Sequence, residues 1–236
     1  MPLFSPEHLA AIATTVIGAV LLTLAARRDR SSAATLARGL AVVIATGFVV
    51  EQAVYVARGD WSARVNLPLQ LSDAVTFVAI AALWRPRAGL LSELVWFWAL
   101  SAALQAVLTP DLGETFPDVL YVTYFATHSG AIAGACLLVI GMRLIPRPRA
   151  AWRAFGLTAA FAGVAAIGCV ATGGNYMYLR HKPANGSILD AMGPWPWYLV
   201  AAAALGLAML LVLQAIARAL RCRARASAAT RAAGAR

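Results

Sequence analysis

The sequence predicts an all-α polytopic membrane protein: one bundle of seven transmembrane helices, N-terminus outside and C-terminus in the cytosol. Three observations predict it. The first is composition: of 236 residues 61% are apolar and only 13% charged, with a mean hydropathy of +0.72, whereas a soluble domain is about half apolar and a quarter charged. The second is that the apolar residues fall into seven stretches close to the about 20 residues a bilayer core requires: His8–Ala26, Leu36–Ala57, Leu67–Trp84, Leu90–Leu108, Pro117–Leu144, Trp152–Thr172 and Trp195–Leu220. The third is the placing of the twenty basic residues, nineteen of them arginine.

With the N-terminus outside, sixteen of these twenty lie in inner segments or the tail, from Arg27, Arg28, Arg30 and Arg38 to Arg85 and Arg87, then Arg143, Arg147, Arg149 and Arg153, and finally Arg218, Arg221, Arg223, Arg225, Arg231 and Arg236. Only Arg58, Arg64, Arg180 and Lys182 remain outside. That asymmetry sets the orientation by the positive-inside rule. The net charge of +10 is therefore topological. Its short clusters between apolar runs are not the continuous aromatic-laced basic face of a nucleic-acid binder, so no nucleic-acid partner is expected.

Taking the elements in order, the first span is read as an anchor and not a cleaved signal, because Met1–Glu7 carries no positive charge while Arg27, Arg28 and Arg30 follow the span. Trp84 closes the third span, and Trp195, Trp197 and Tyr198 open the last, as interfacial belt residues do. Short connections make residues 1–220 one transmembrane domain without an internal repeat, and residues 221–236 read as a basic, disordered cytosolic tail. Cys136, Cys169 and Cys222 have no metal-type spacing and read as free thiols. Glu93, near the inner end of the fourth span, reads as interfacial.

Polar side chains are costly in hydrocarbon, so those inside spans mark function by default. They collect toward the outer side. Glu51 and Gln52 lie late in span two; Asn66, Gln70, Ser72 and Asp73 open span three. Gln105, Thr109 and Asp111 close span four, His128 lies in span five, and Asn175, Tyr176, Tyr178, Arg180 and Lys182 follow span six. At about 1.5 Å per residue, Ser72 lies roughly 7 Å below Leu67 and His128 roughly 15 Å below Asp118, so both are expected to line one outward-opening pocket. Each also has a plain reading: a membrane serine bonds a backbone carbonyl, and a histidine bonds the next helix. The loop Gly173–Pro183, with its glycines, tyrosines and basic residues, is suited to lie over that pocket and hold an anionic head group.

Three blocks taken together resemble the YwaF-like family of bacterial integral membrane proteins, related to the eukaryotic transmembrane protein 164 acyltransferase. They are Leu67-Pro68-Leu69-Gln70-Leu71-Ser72-Asp73; Thr109-Pro110-Asp111-Leu112 with Tyr124-Phe125 and His128; and Gly174-Asn175-Tyr176-Met177-Tyr178-Leu179 with Lys182-Pro183 and Trp195-Pro196-Trp197-Tyr198. The resemblance implies a multi-pass protein of the bacterial inner membrane, an acyltransferase that moves acyl chains between membrane lipids or an acyl hydrolase that releases them, without metal or other cofactor. The family's histidine falls on His128 and its cysteine on Ser72, while a position often histidine is Gln70. On that reading Ser72 is the nucleophile, His128 the base, and Asp73 or Glu51 orients the ring. Gln70 and Asn175 are oxyanion donors, Arg180 and Lys182 hold phosphate, and Glu51, Gln105, Asp111, Tyr176 and Tyr178 complete the substrate surface. Cys169 is a reserve nucleophile. The competing reading is a small-molecule carrier or binding protein using the same pocket without covalent chemistry. Nothing in the pattern fixes an oligomeric state.

Overall fold

The computed structural model describes residues 3–183 and 187–234; Arg236, counted above, lies outside them. The chain runs through seven main helices: α1 Pro6–Arg28, α2 Ala33–Arg58, α3 Leu71–Trp84, α4 Leu90–Leu108 and α5 Val119–Gly141, α6 Ala150–Thr172 and α7 Trp197–Gly234. Two 3₁₀ turns, Tyr176–Tyr178 and Ile188–Met192, punctuate the segment before α7. Six of the helices are long and apolar enough to cross a membrane, and α3 is a shorter apolar helix.

The third span starts later than its hydrophobicity suggests. Pro68 lies in the irregular approach, and helix begins only at Leu71, with Gln70 at the N-cap, its N–H donating to Asp73 Oδ2 at 3.1 Å. The fourteen residues of α3 rise about 21 Å, so the irregular segment 66–70 supplies the rest of the crossing. At the other end of the chain α7 continues unbroken to Gly234, so among the described residues the segment expected as a tail is helical. Its alanines and arginines are strong helix formers and extend a helix already nucleated in the bundle.

The centre of the bundle is α5. In its most apolar window 72% of residues are buried, against 11% for α7, and α1, α2, α3 and α4 all pack on it. Lipid tails are as apolar as leucine, so close backbone approach replaces the hydrophobic effect as the association force. Gly130 and Gly134 make that approach possible. A Cβ on Gly130 would stand 2.6 Å from Ile44 Cγ1 of α2, and one on Gly134 would stand 3.0 Å from Leu83 Cδ1 of α3. The outer pair α6 and α7 pack on each other and on α4.

Two ends emerge. At one, Arg147 and Arg153 both reach Glu93, with N–O distances of 2.8 and 2.9 Å, and Arg221 donates to the Ile145 carbonyl. Glu93 is 2% exposed. Two guanidiniums and the Arg147 N–H bury the carboxylate there. At the opposite end Arg58 pairs with Asp118 at 2.9 Å, Tyr121 donates to the Glu7 carbonyl at 2.8 Å, and buried His8 meets the Val107 carbonyl through Nε2 at 2.8 Å.

Candidate functional site

The end of the bundle away from the arginine clusters carries the polar residues singled out in the sequence, and the loop after α6 binds them together. Tyr176 is the keystone. Its hydroxyl donates to the Ala63 carbonyl at 2.6 Å and accepts from Leu67 N–H at 3.2 Å. Its own N–H donates to Cys169 Sγ at 3.1 Å. Gly174 packs so tightly on Arg64 that a Cβ would lie 2.3 Å from its carbonyl oxygen. From this anchor the chain lies across the start of α3: Met177 N–H donates to Gln70 Oε1 at 2.7 Å, and the Tyr178 hydroxyl donates to Asp111 Oδ2 at 3.0 Å. Met177 and Tyr178 are held at φ of 51° and 54°, left-handed values that non-glycine residues adopt only when their surroundings over-determine them.

Burial, with Asp111 adding to it, raises the Tyr178 phenol above its ordinary range, so it remains a donor at physiological pH. Burial likewise raises Tyr176. At the lip of the cluster Asp118 caps α5 by accepting from Leu120 N–H at 2.8 Å. That bond and the Arg58 guanidinium hold its carboxyl below the usual range.

The loop's own polar groups look inward on the loop. Asn175 Oδ1 accepts from Arg180 N–H at 3.0 Å and His181 N–H at 3.2 Å, and its amide donates to the His181 carbonyl at 2.7 Å. Asn175 thus closes the turn instead of offering oxyanion donors. Arg180 is engaged by the Gly173 carbonyl at 2.9 Å. Lys182 lies 4.0 Å from Asp190 and 5.6 Å from the centre of the Tyr198 ring. In this arrangement neither basic side chain is aimed at a phosphate over the cluster. Gln105 is exposed and donates to Thr109 Oγ1 at 2.6 Å, finishing α4.

Beneath the loop, Glu51, Asp73, Asp111 and Tyr178 all stand within electrostatic reach of Tyr124, and Asp73 within reach of Glu51. Tyr124 is the residue the sequence reasoning passed over as a site component, although its place one turn before His128 was the available signal. Its ring stacks on His128 with centroids 4.2 Å apart and 29° between planes, and its hydroxyl donates to the Ala106 carbonyl at 2.9 Å. His128 is 8% exposed, and its Nδ1 lies 2.7 Å from the Tyr124 carbonyl. A carbonyl only accepts, so Nδ1 carries the hydrogen and Nε2 keeps its lone pair. The backbone therefore orients this ring. Of the two carboxylates expected to orient it, Asp73 is occupied with the N-terminus of α3, and among the described residues Glu51 makes no hydrogen bond to the ring.

Ser72 and His128 share no hydrogen bond among the described residues. The reason is axial. Helices α3 and α5 run parallel, with Leu83 beside Gly134; counting back along each, Ser72 stands about 7 Å nearer the polar end than His128, more than one turn. The Ser72 carbonyl accepts from Thr76 Oγ1 at 3.2 Å. Cys169 is buried and bonded to both N–H and carbonyl of Tyr176, a structural post. Among the described residues no three His, Cys, Asp or Glu side chains are grouped to hold a metal ion.

These features define a multi-pass helical membrane protein with a loop-covered cluster of tyrosines, carboxylates and one oriented histidine at one end of the bundle. Within that class the chain belongs to the TMEM164 family, whose family model matches residues 3–214. The match takes in every helix of the bundle and stops within α7. No curated protein and no solved structure matches the chain.

Proposed function

We propose that this protein transfers or hydrolyses lipid acyl chains, with His128 as the proton carrier of the reaction. The reading is supported chiefly by His128: a nearly buried imidazole with Nδ1–H fixed on a backbone carbonyl, which leaves Nε2 as the ring nitrogen able to accept a proton. In the proposed cycle the Ser72 Oγ attacks the ester carbonyl of a phospholipid as its proton passes to His128 Nε2. The tetrahedral intermediate then expels the lysophospholipid alkoxide, which takes that proton. A second lysophospholipid, or water, attacks the acyl-serine with His128 again as base and returns Ser72 to its free form. The proposed cycle needs the axial gap of about 7 Å between the two residues to close as substrate enters, and the Met177–Gln70 bond at the start of α3 is the contact such a movement would loosen. The proposed setting is the bacterial inner membrane, with the cluster facing outward and membrane lipids as substrates.

The same gap favours a second reading, a lipid or small-molecule binding protein that performs no covalent chemistry. One experiment separates them. Purified protein is incubated with phosphatidylcholine and an isotope-labelled lysophosphatidylcholine, and label transfer and fatty-acid release are followed by mass spectrometry. Acyl transfer predicts product formation that falls about 100-fold or more in His128→Ala, is lost in Ser72→Ala, and is kept or raised in Ser72→Cys, since a thiol ionises more readily than a hydroxyl. Turnover by Ser72→Ala at the normal rate removes the serine from the mechanism. Retention of labelled lipid with neither product leaves the binding reading.

A further inference from the structure

The opposite, arginine-rich end contains a second polar feature that the proposed chemistry does not use. Between the first turns of α2, the α3–α4 connection and the end of α5 lies a cleft of about 230 Å³. Arg38, Arg85 and Arg87 line it together with Trp84, Pro86 and Met142. We infer that this cleft is a binding site for a phosphate group, formed by the convergence of Arg38, Arg85 and Arg87 beside Trp84.

The arginines here differ from others at the same end. Arg147 and Arg153 are both ion-paired with Glu93, and Arg221 is engaged by backbone carbonyls. Among the described residues, Arg38, Arg85 and Arg87 make no side-chain hydrogen bond or ion pair, and no carboxylate lines their cleft. Three like charges around one small concavity repel one another, and the carboxylates at this end are committed elsewhere, Glu93 to Arg147 and Arg153 and Asp29 to Ser31. A phosphate relieves that repulsion and offers oxygens matched to the guanidinium fork. Helix ends and a proline hold the donors. Arg38 is on α2, while Arg85 and Arg87 flank Pro86, whose ring fixes its own φ and restricts Arg85 to extended backbone. The Arg87 carbonyl is tied down by Ser92 Oγ at 2.5 Å. Trp84, half exposed at the last residue of α3, sets the cleft at the depth where indoles meet lipid head groups. The phosphate can come from an anionic phospholipid of the surrounding leaflet or from a phosphate dissolved in the aqueous phase.

The test uses the full chain purified in detergent and native mass spectrometry. Dioleoylphosphatidylglycerol and dioleoylphosphatidylcholine are titrated against wild type, against Arg38→Gln/Arg85→Gln/Arg87→Gln, and against Arg27→Gln/Arg28→Gln/Arg30→Gln. The last removes the same charge from the same end outside the cleft. Wild type and the control triple should retain phosphatidylglycerol in preference to phosphatidylcholine, and the cleft triple should lose affinity about tenfold or more. Phosphatidylglycerol should also raise the melting temperature of wild type and control but not of the cleft triple, and that second readout is made on Arg85→Gln alone should the triple fail to fold. Displacement of the lipid by millimolar inorganic phosphate identifies a dissolved phosphate as a ligand of the site, whereas resistance identifies the lipid. Equal losses in the two triples, or equal retention of the two lipids, would overturn the site and leave only the diffuse charge of this face.

Discussion

At the scale of single residues, the polar end owes its shape to side chains with little obvious chemistry. Gly174 is an example. Its missing Cβ lets the loop rest on the Arg64 carbonyl at a distance no side chain tolerates, because the obstacle is backbone and cannot rotate away. Gly174→Ala should therefore cost about 1–3 kcal/mol, the usual penalty of overpacking, and lower the melting temperature in detergent. Gly163→Ala, inside α6 at a position where an added Cβ meets nothing within 4 Å, should leave it equal or higher, because alanine is the better helix former. The residue scale also shows how much of the candidate site was legible. Glu51, Asp73, Asp111, Tyr178 and His128 were singled out because polar groups in apolar spans stand out, and they do gather. Asn175, Arg180 and Lys182 belong to the loop after α6, whose polar and basic groups suggest a hold on an anionic head group, but their partners lie within the loop and the turns that follow it, which composition cannot reveal.

At the scale of elements, two helices decide most of the architecture. The central position of α5 depends on glycine spacing at Gly130 and Gly134, and it puts His128 and Tyr124 on a helix surrounded by four others. The joint between α4 and α6 depends on one carboxylate. Glu93 holds Arg147 and Arg153, which remain 56% and 39% exposed. Loss of the acid lets both arginines rehydrate, so the penalty falls below that of a fully buried pair. Glu93→Gln should cost about 2 kcal/mol, read as a lower melting temperature, whereas Glu93→Asp should recover part of it. A melting temperature equal to wild type in Glu93→Gln would show that α6 is held by packing alone.

At the scale of the whole molecule, the bundle has an arginine-rich end and an end of tyrosines and carboxylates, separated by the length of its helices. The positive-inside rule turns that polarity into an orientation. A reporter active only outside the membrane should be silent when fused after Arg236 and active when fused before Met1. The reverse pattern would place the histidine cluster on the cytosolic side and the arginine cleft outside.

What the sequence by itself determined is what depends on composition and local order: the all-helical membrane class, the boundaries of most helices, the polarity of the two ends, and which polar residues are too costly to be incidental. Hydropathy along one chain records these directly. The folded structure decided the rest, through side-chain and backbone geometry that hydropathy does not record and, for Glu93 and the α3–α5 register, through contacts between segments far apart in sequence. It shortened α3 to a start at Leu71, carried α7 through the tail to Gly234, and buried Glu93 between two arginines. It also gave the His128 ring a backbone partner in place of a carboxylate. Above all it set the helical register between α3 and α5, fixed by Leu83 packing on Gly134, which leaves Ser72 and His128 more than a turn apart.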